Sequence, residues 1–443
     1  MSDDETQFVN GILLLYHHPL RQSASTIMEH VNAFGQYSRF KVWKVNVELG
    51  FPQSLRELQF RALVLHYSLF GIWPYMLNEK FLKYIDQSQA HKIAFFQDEH
   101  RFCQARFVFI DRYKIDCIYT LLEPAYFDEV YRKYTTVQKL VYALPGYVGD
   151  DLIALSQMMA KPDKDRIIDI GYRGRRLSFY MGKGGQEKHE IAIGFLQRAN
   201  GLNLKIDVES DEHRRIYGKG WYKFLADCCA VLGVEAGVSI FDLEDKVRME
   251  CERLILENPR ISFEEMSKKV LQPWEENIPY RTISPRHFEA AAFRVCQILF
   301  EGHYSGVMQP MVHYIPLKKD FSNFEEVIRM FKDQKLRSEL TENAYHDLIA
   351  SGKYSYRKFI QGIFDKWLLD CGLKLETAAE EADKVTTLLE RGANRRKFYT
   401  MCRSILYRLV STRNYIIPLV RPIGYTCRGI KRSHSCPMNS NNI

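Results

Sequence analysis

Lys161-Pro-Asp-Lys-Asp-Arg-Ile-Ile-Asp-Ile170 is a charged, proline-containing break followed at once by an apolar run. It separates two stretches of chain that share one rhythm. Before it, apolar runs at residues 12–16, 40–47, 62–67, 92–96, 117–121 and 140–144 alternate with amphipathic segments such as 25–34. After it, runs at 167–170, 204–208, 239–241 and 297–300 resume the pattern. Strand–helix alternation of this kind predicts parallel sheets. Runs that are apolar on both faces predict helices covering both sides. The expected fold class is therefore α/β, with two doubly wound α/β domains, 1–160 and 161–355, facing a cleft.

Beyond Ser355 only the helical period persists, and a C-terminal helical extension is expected over 356–443. Phe359, Ile360, Ile363, Phe364, Trp367 and Leu368 make one apolar stripe, and Phe398, Met401, Cys402, Ile405, Leu406, Leu409 and Val410 make another. The charge is uneven. The whole chain has 62 Lys+Arg against 54 Asp+Glu, a formal +8, but eleven of the basic residues lie from Arg391 onward, where no acidic residue occurs. The preceding part thus carries 51 basic against 54 acidic groups. A slightly acidic body with one basic tail argues against a nucleic-acid binder as a class, so no nucleic-acid partner is expected.

Hydrophobic residues at 46% and charged residues at 26% are ordinary globular values and exclude wholesale disorder. No apolar run approaches the roughly 20 residues of a membrane span. The first residues, Met1-Ser-Asp-Asp-Glu-Thr-Gln7, are acidic and polar, unlike a signal peptide. Ten cysteines without a C-x-x-C pair fit reduced thiols in a cytoplasmic protein, with no zinc and no other metal expected.

Ligands bind outside the carboxyl ends of parallel strands, so residues following each strand are the first candidates. In Ile283-Ser-Pro-Arg-His-Phe-Glu289, Ser284 and Pro285 read as N-cap and first helical position. Arg286 and Glu289, three apart, then project together. Glu301-Gly-His-Tyr-Ser-Gly306 is a glycine-bracketed turn whose backbone N–H groups could cradle an anion. Asp169-Ile-Gly-Tyr-Arg-Gly-Arg-Arg176 is followed by Gly182-Lys-Gly-Gly185 and a helix with Ala192, Phe195, Leu196 and Ala199 on its buried face. Glycine allows close backbone approach to phosphate, while Arg and Lys supply charge. The plainer reading of these stretches is surface turns and salt bridges. His17-His18 and Gln97-Asp98-Glu99-His100 also follow strands and offer general bases. Asp163-Lys-Asp165 is a D-x-D, but it lies in the linker and reads as chance.

Taken together, Asp169–Gly174, Gly185–Lys188, Val234–Asp242, Ile283–Glu289 and Glu301–Asn323 resemble a bacterial glycosyltransferase of the GT-B fold, in the broad CgeB-like group related to glycosyltransferase family 4, over roughly residues 10–355. The resemblance implies transfer of a sugar from a nucleotide-sugar donor to a cell-surface polysaccharide or glycolipid, with no cofactor beyond that co-substrate. In related enzymes an E-x7-E motif sets its second Glu against the donor ribose; Glu289 matches it, and Arg281 stands in the place of the first Glu. By the same resemblance Arg173, Arg175 and Lys183 hold the pyrophosphate, the amides of Tyr304, Ser305 and Gly306 close over it, and Arg286 lies beside them. Asp98 is the first choice for acceptor deprotonation and His18 the second. A non-catalytic nucleotide- or glycan-binding protein on a degenerate GT-B scaffold is the alternative. The tail has two readings. Segments 375–391 and 395–410 either pair as a hairpin, or lie on an anionic membrane face and bring the cleft to a lipid-linked acceptor at the inner side of the cell membrane.

Overall fold

The computed structural model describes residues 8–19, 25–71 and 73–402. Six strands, β1 (Phe8–Tyr16), β2 (Val42–Asn46), β3 (Gln59–Leu65), β4 (His91–Phe95), β5 (Cys117–Thr120) and β6 (Lys139–Tyr142), form one sheet in the order β2-β1-β3-β4-β5-β6. Every pairing in it is parallel. Side chains alternate with the period of two that a strand imposes. Leu13 and Leu15 enter one apolar cluster, Ile12 and Leu14 the other, and the same split recurs at Leu63 and Leu65 against Ala62 and Val64.

The second unit contains β7 (Ile168–Arg173), β8 (Ile206–Glu209), β9 (Cys228–Gly233), the short antiparallel pair β10 (Ala236–Val238) and β11 (Tyr280–Thr282), then β12 (Cys296–Phe300) and β13 (Ile315–Leu317). Its parallel sheet has the order β13-β12-β9-β7-β8. Two Rossmann-like sheets with helices between their strands are thus present, the arrangement read from the sequence. Residues 239–241, expected as a strand, instead follow β10 as irregular chain. The central strand β9 was not foreseen. The helix Lys219–Asp227 ends and β9 begins at the next residue, so no turn residue marks the change of period. Leu196 is 39% exposed and not on the buried face of its helix.

The chain after Ser355 returns to the first sheet. Residues 356–370 are one helical run. Its Phe359, Ile360, Phe364 and Leu368 share a cluster with Ile12, Leu14, Val31 and Phe34. Buried Asp365 accepts hydrogen bonds from Ser38 Oγ and the Arg39 N–H, both 2.8 Å. The helix Ala379–Glu390 crosses to the opposite face, where Val385 and Leu389 join Leu13, Phe60 and Leu63. Ser54 Oγ donates to the Leu388 carbonyl at 2.6 Å, and Trp43 Nε1 to Thr386 Oγ1 at 3.1 Å. Over its described part, then, the expected extension 356–443 completes the core of the first domain on both faces. Residues 393–402 are helical, and the tail from 403 on lies outside the described residues. No described helix is long and apolar enough to cross a membrane.

Phe364 is fully buried and touches the rings of Phe34 (4.9 Å), Tyr119 (6.0 Å) and Phe95 (6.2 Å). Phe364→Ala is expected to cost about 3–5 kcal/mol, the usual loss for an aromatic cavity. Urea denaturation followed by tryptophan fluorescence reads this directly, and a loss below about 1 kcal/mol would show that 356–370 is peripheral to the domain.

Candidate functional site

The two domains meet at a cavity of about 370 Å³. Its first-domain wall is the loop after β4, where Gln97, Asp98, His100 and Arg101 line it. That loop is held from beneath by Glu99. The buried Glu99 carboxylate accepts from Thr120 Oγ1 (2.5 Å), the Leu121 N–H (2.9 Å), the Tyr131 hydroxyl and Tyr280 Oη (3.0 Å). Burial raises its pKa, and these donors work against that rise. Tyr280 belongs to β11 of the second domain, its hydroxyl also lies against the Gln97 carbonyl, and its ring packs with Val238, Phe241 and Ile278 into the first domain's cluster. The buried Arg106 guanidinium donates to the Asp98 and Phe70 carbonyls. Burial pushes His100 down to about 3, so it is a neutral ring, and neither nitrogen has a partner among the described residues.

The second-domain wall brings Arg175, Lys188, Arg215, Trp221, Arg286 and Glu289 together. As the sequence predicts, Ser284 caps the helix Pro285–Ala292, its Oγ accepting from the Arg286 N–H at 3.4 Å. Arg286 and Glu289 then bracket Trp221: the guanidinium carbon lies 4.7 Å from the indole centroid, and Trp221 Nε1 donates to Glu289 Oε2 at 2.7 Å. Burial, aided by the charge of Glu29, pushes Glu289 up to about 7 against the pull of Trp221 and Arg286. Lys188 is half-buried and makes no ion pair within 4.0 Å among the described residues. Burial, then the charges of Arg175 and Arg286, push it down to about 8, opposed by Asp98 and Glu187. Asp98 is 57% exposed on the facing wall, with Arg101 Nη2 3.4 Å from its Oδ2. Burial would raise Asp98, but the charges of Arg101, Arg106 and Lys188 help to outweigh it and hold it below its usual range, hence ionised at neutral pH.

Of the residues picked from the sequence, Asp98, Arg175, Arg286 and Glu289 line this cleft. Others do not. Arg173 turns into its own sheet, where it donates to Asp207 Oδ2 (2.8 Å) and to the Tyr172 and Asp207 carbonyls (2.8 and 2.9 Å) and lies 4.3 Å over Phe224. Its own carbonyl receives Arg286 Nη1, so it positions a cleft residue without reaching the cleft. His18 lies two residues past β1, its N–H on Asn46 Oδ1 (3.0 Å), off the cleft wall. Asp163 of the D-x-D pairs with Arg337 at 2.6 Å.

Both backbone cradles are filled by the chain's own carboxylates. At the turn, the N–H groups of His303 (3.1 Å) and Tyr304 (2.7 Å) donate to Glu235 Oε1, and the Gly306 N–H donates to the His303 carbonyl (2.9 Å). Ser305 Oγ is engaged by Thr282 Oγ1 (2.9 Å) and the Ile283 N–H (3.1 Å). The helix Gly182–Ala199 starts against Glu275 and Ser239: the Lys183 N–H donates to Glu275 Oε1 and the Gly184 N–H to Ser239 Oγ, both 2.9 Å, while Ser239 donates to Glu275 Oε2 at 2.7 Å. The Lys183 side chain is exposed and off the cleft wall. A Cβ on Gly182, at φ +70°, would sit 2.3 Å from Ser239 Oγ, so the glycine there is demanded by packing. Arg281 likewise faces away from the cleft, bonded to both Glu187 carboxylate oxygens (3.0 Å each) and to Glu276 (2.7 Å).

Sequence reasoning missed Lys188, Arg215 and Trp221. For Lys188 a signal existed: it is four residues before Ala192, on the buried stripe of its helix, where an unpaired cation is costly unless it serves a site. Among the described residues no group of three His, Cys, Asp or Glu side chains converges as a metal requires.

No family model and no curated protein matches the sequence. Among solved structures, the chain is similar to TarM, at 12% identity and TM-score 0.38, over 70% of this chain and 54% of TarM. It is also similar to an α-glucosyltransferase in complex with UDP-glucose and DNA containing an abasic site, at 12% identity and TM-score 0.47, over 82% and 99% of the two chains. A third is Anabaena HepE in complex with UDP-glucose, at 10% identity and TM-score 0.42, over 81% and 99%.

The two arginines of Arg173-Gly-Arg175 should separate in stability measurements. Arg173→Ala is expected to lose about 2–3 kcal/mol, since it strips charged hydrogen bonds from a buried carbonyl cluster. Arg175, half exposed and 3.9 Å from Glu212, should cost less than about 0.5 kcal/mol. Equal losses in urea denaturation would contradict the assignment of Arg173 to the framework.

Proposed function

We propose that the chain is a nucleotide-sugar-dependent glycosyltransferase of hexosyltransferase type, acting in the cytoplasm on a cell-surface polysaccharide or glycolipid acceptor. The observation that carries this reading is the cationic wall of the cleft. Lys188 and Arg286 have no carboxylate partner within 4.0 Å among the described residues, and Arg175 and Arg215 stand beside them. A diphosphate supplies the missing charge, and its developing negative charge is stabilised as the glycosidic bond breaks. Four side-chain cations can serve this without a metal. Glu289 accepts the ribose hydroxyls, beside the Trp221 ring. Asp98, ionised across the cleft, receives the acceptor's proton.

A second reading, a binding protein that no longer transfers sugar, is favoured by Glu235 and Glu275 sitting in the two backbone cradles. Turnover separates the two. Donor hydrolysis or transfer with the purified chain supports an enzyme; donor binding with neither, across an acceptor panel, supports the binding protein.

Calorimetric titration with UDP-, GDP- and dTDP-sugars tests the site itself. At least one should bind, and Lys188→Ala, Arg286→Ala and Glu289→Ala should each weaken it about ten-fold, or about 1.4 kcal/mol. Absence of binding to any of them would sink the reading. Affinity should also fall as pH rises through about 8, because Lys188 then loses the proton that gives it charge. Lys188→Arg, which stays charged, should remove that fall.

A further inference from the structure

We propose that helix 393–402 is a docking surface for anionic lipid bilayers. The helix seats itself on one side only. Thr400 is buried, its Oγ1 3.5 Å from the Glu48 carbonyl, and Arg396, four residues earlier, donates to the Leu389 (3.0 Å) and Arg391 (2.8 Å) carbonyls. The rest faces outward: Arg391, Arg395 and Lys397 are exposed, together with Phe398 (58%), Tyr399 (58%) and Met401 (49%). Cations interleaved with exposed aromatic and thioether side chains suit the bilayer interface, which takes apolar groups and holds anionic headgroups above them.

Charge and place support the same partner. From Arg391 to the last residue given there is no acidic residue, so this segment contributes charge of one sign only. Ile405, Leu406, Leu409 and Val410 continue the apolar composition beyond Met401, and aliphatic side chains of this kind are suited to a lipid phase. Glu48 lies two residues past β2, and its carboxylate meets His17, the residue after β1, at 3.2 Å. Parallel strands all end at the same side of their sheet, the side from which the loop of Asp98 enters the cleft. A bilayer against this helix therefore lies at the rim of the first domain's half of the cleft. That it delivers a lipid-linked acceptor there rests on the proposed function.

The test is co-sedimentation of the full chain with vesicles of phosphatidylcholine alone and of phosphatidylcholine with about one-third phosphatidylglycerol. The expected result is about ten-fold more protein on the anionic vesicles, released several-fold on raising salt. Phe398→Ser with Tyr399→Ser, and separately Arg395→Gln with Lys397→Gln, should each reduce binding at least about three-fold with unchanged circular dichroism and melting temperature. Equal sedimentation with both vesicles, none with either, unaltered binding by both double variants, or tighter binding of a single-stranded oligonucleotide would overturn the proposal. Vesicle binding in a protein that binds no nucleotide sugar would leave the docking surface standing and remove the glycosyltransferase reading instead.

Discussion

The buried carboxylate of Glu99 is the contact on which the cleft depends. It lies in the loop after β4, where four donors from two domains converge on it. Three of them belong to the first domain and fix the loop that carries Asp98. The fourth, Tyr280, comes from the β10–β11 ribbon and ties the second domain's wall to the same point. A charge removed from water is tolerated only when its lone pairs are satisfied. Removing the Tyr280 hydroxyl would therefore disturb both walls at once, because the two walls share one hydrogen-bonded centre.

The architecture was legible because a strand covered on both faces has to be apolar throughout, and ten such runs alternating with amphipathic segments leave few other folds. Ser284-Pro285 was legible for a local reason, since cap and first turn are specified within three residues. What failed was whatever depended on a distant partner. No residue near Arg173 announces that Asp207 and Phe224 will claim its guanidinium. Gly182-Lys-Gly-Gly185 reads as a phosphate loop because close backbone approach is all that glycine reports, and here the approaching group is Ser239 with Glu275. β9 escaped because helix and strand abut without a turn. Lys188 was readable in principle, as a charge in register with an apolar stripe.

The filled cradles also change how the site's chemistry is to be understood. Backbone N–H groups at Lys183, His303 and Tyr304 already have carboxylate acceptors, so recognition of an incoming anion falls to side chains: Lys188, Arg175, Arg286 and Arg215. Side-chain cations tolerate shifts in ligand position better than fixed amide dipoles do, and Lys188 can lose its charge near neutral pH. Glu235 and Glu275 meanwhile keep the turn and the helix start satisfied when no ligand is present.

The return of residues 356–390 to the first sheet bears on how the protein is made. On a ribosome the strands β1 to β6 emerge before the second domain, yet one face lacks Phe359, Phe364 and Leu368, and the other lacks Val385 and Leu389, until the second domain has been made. The second domain has clusters of its own and can close while the first still waits. The sheet of β1 to β6 is thus completed after the second domain, and its two incompletely covered apolar faces are what a chaperone would have to shield during that interval.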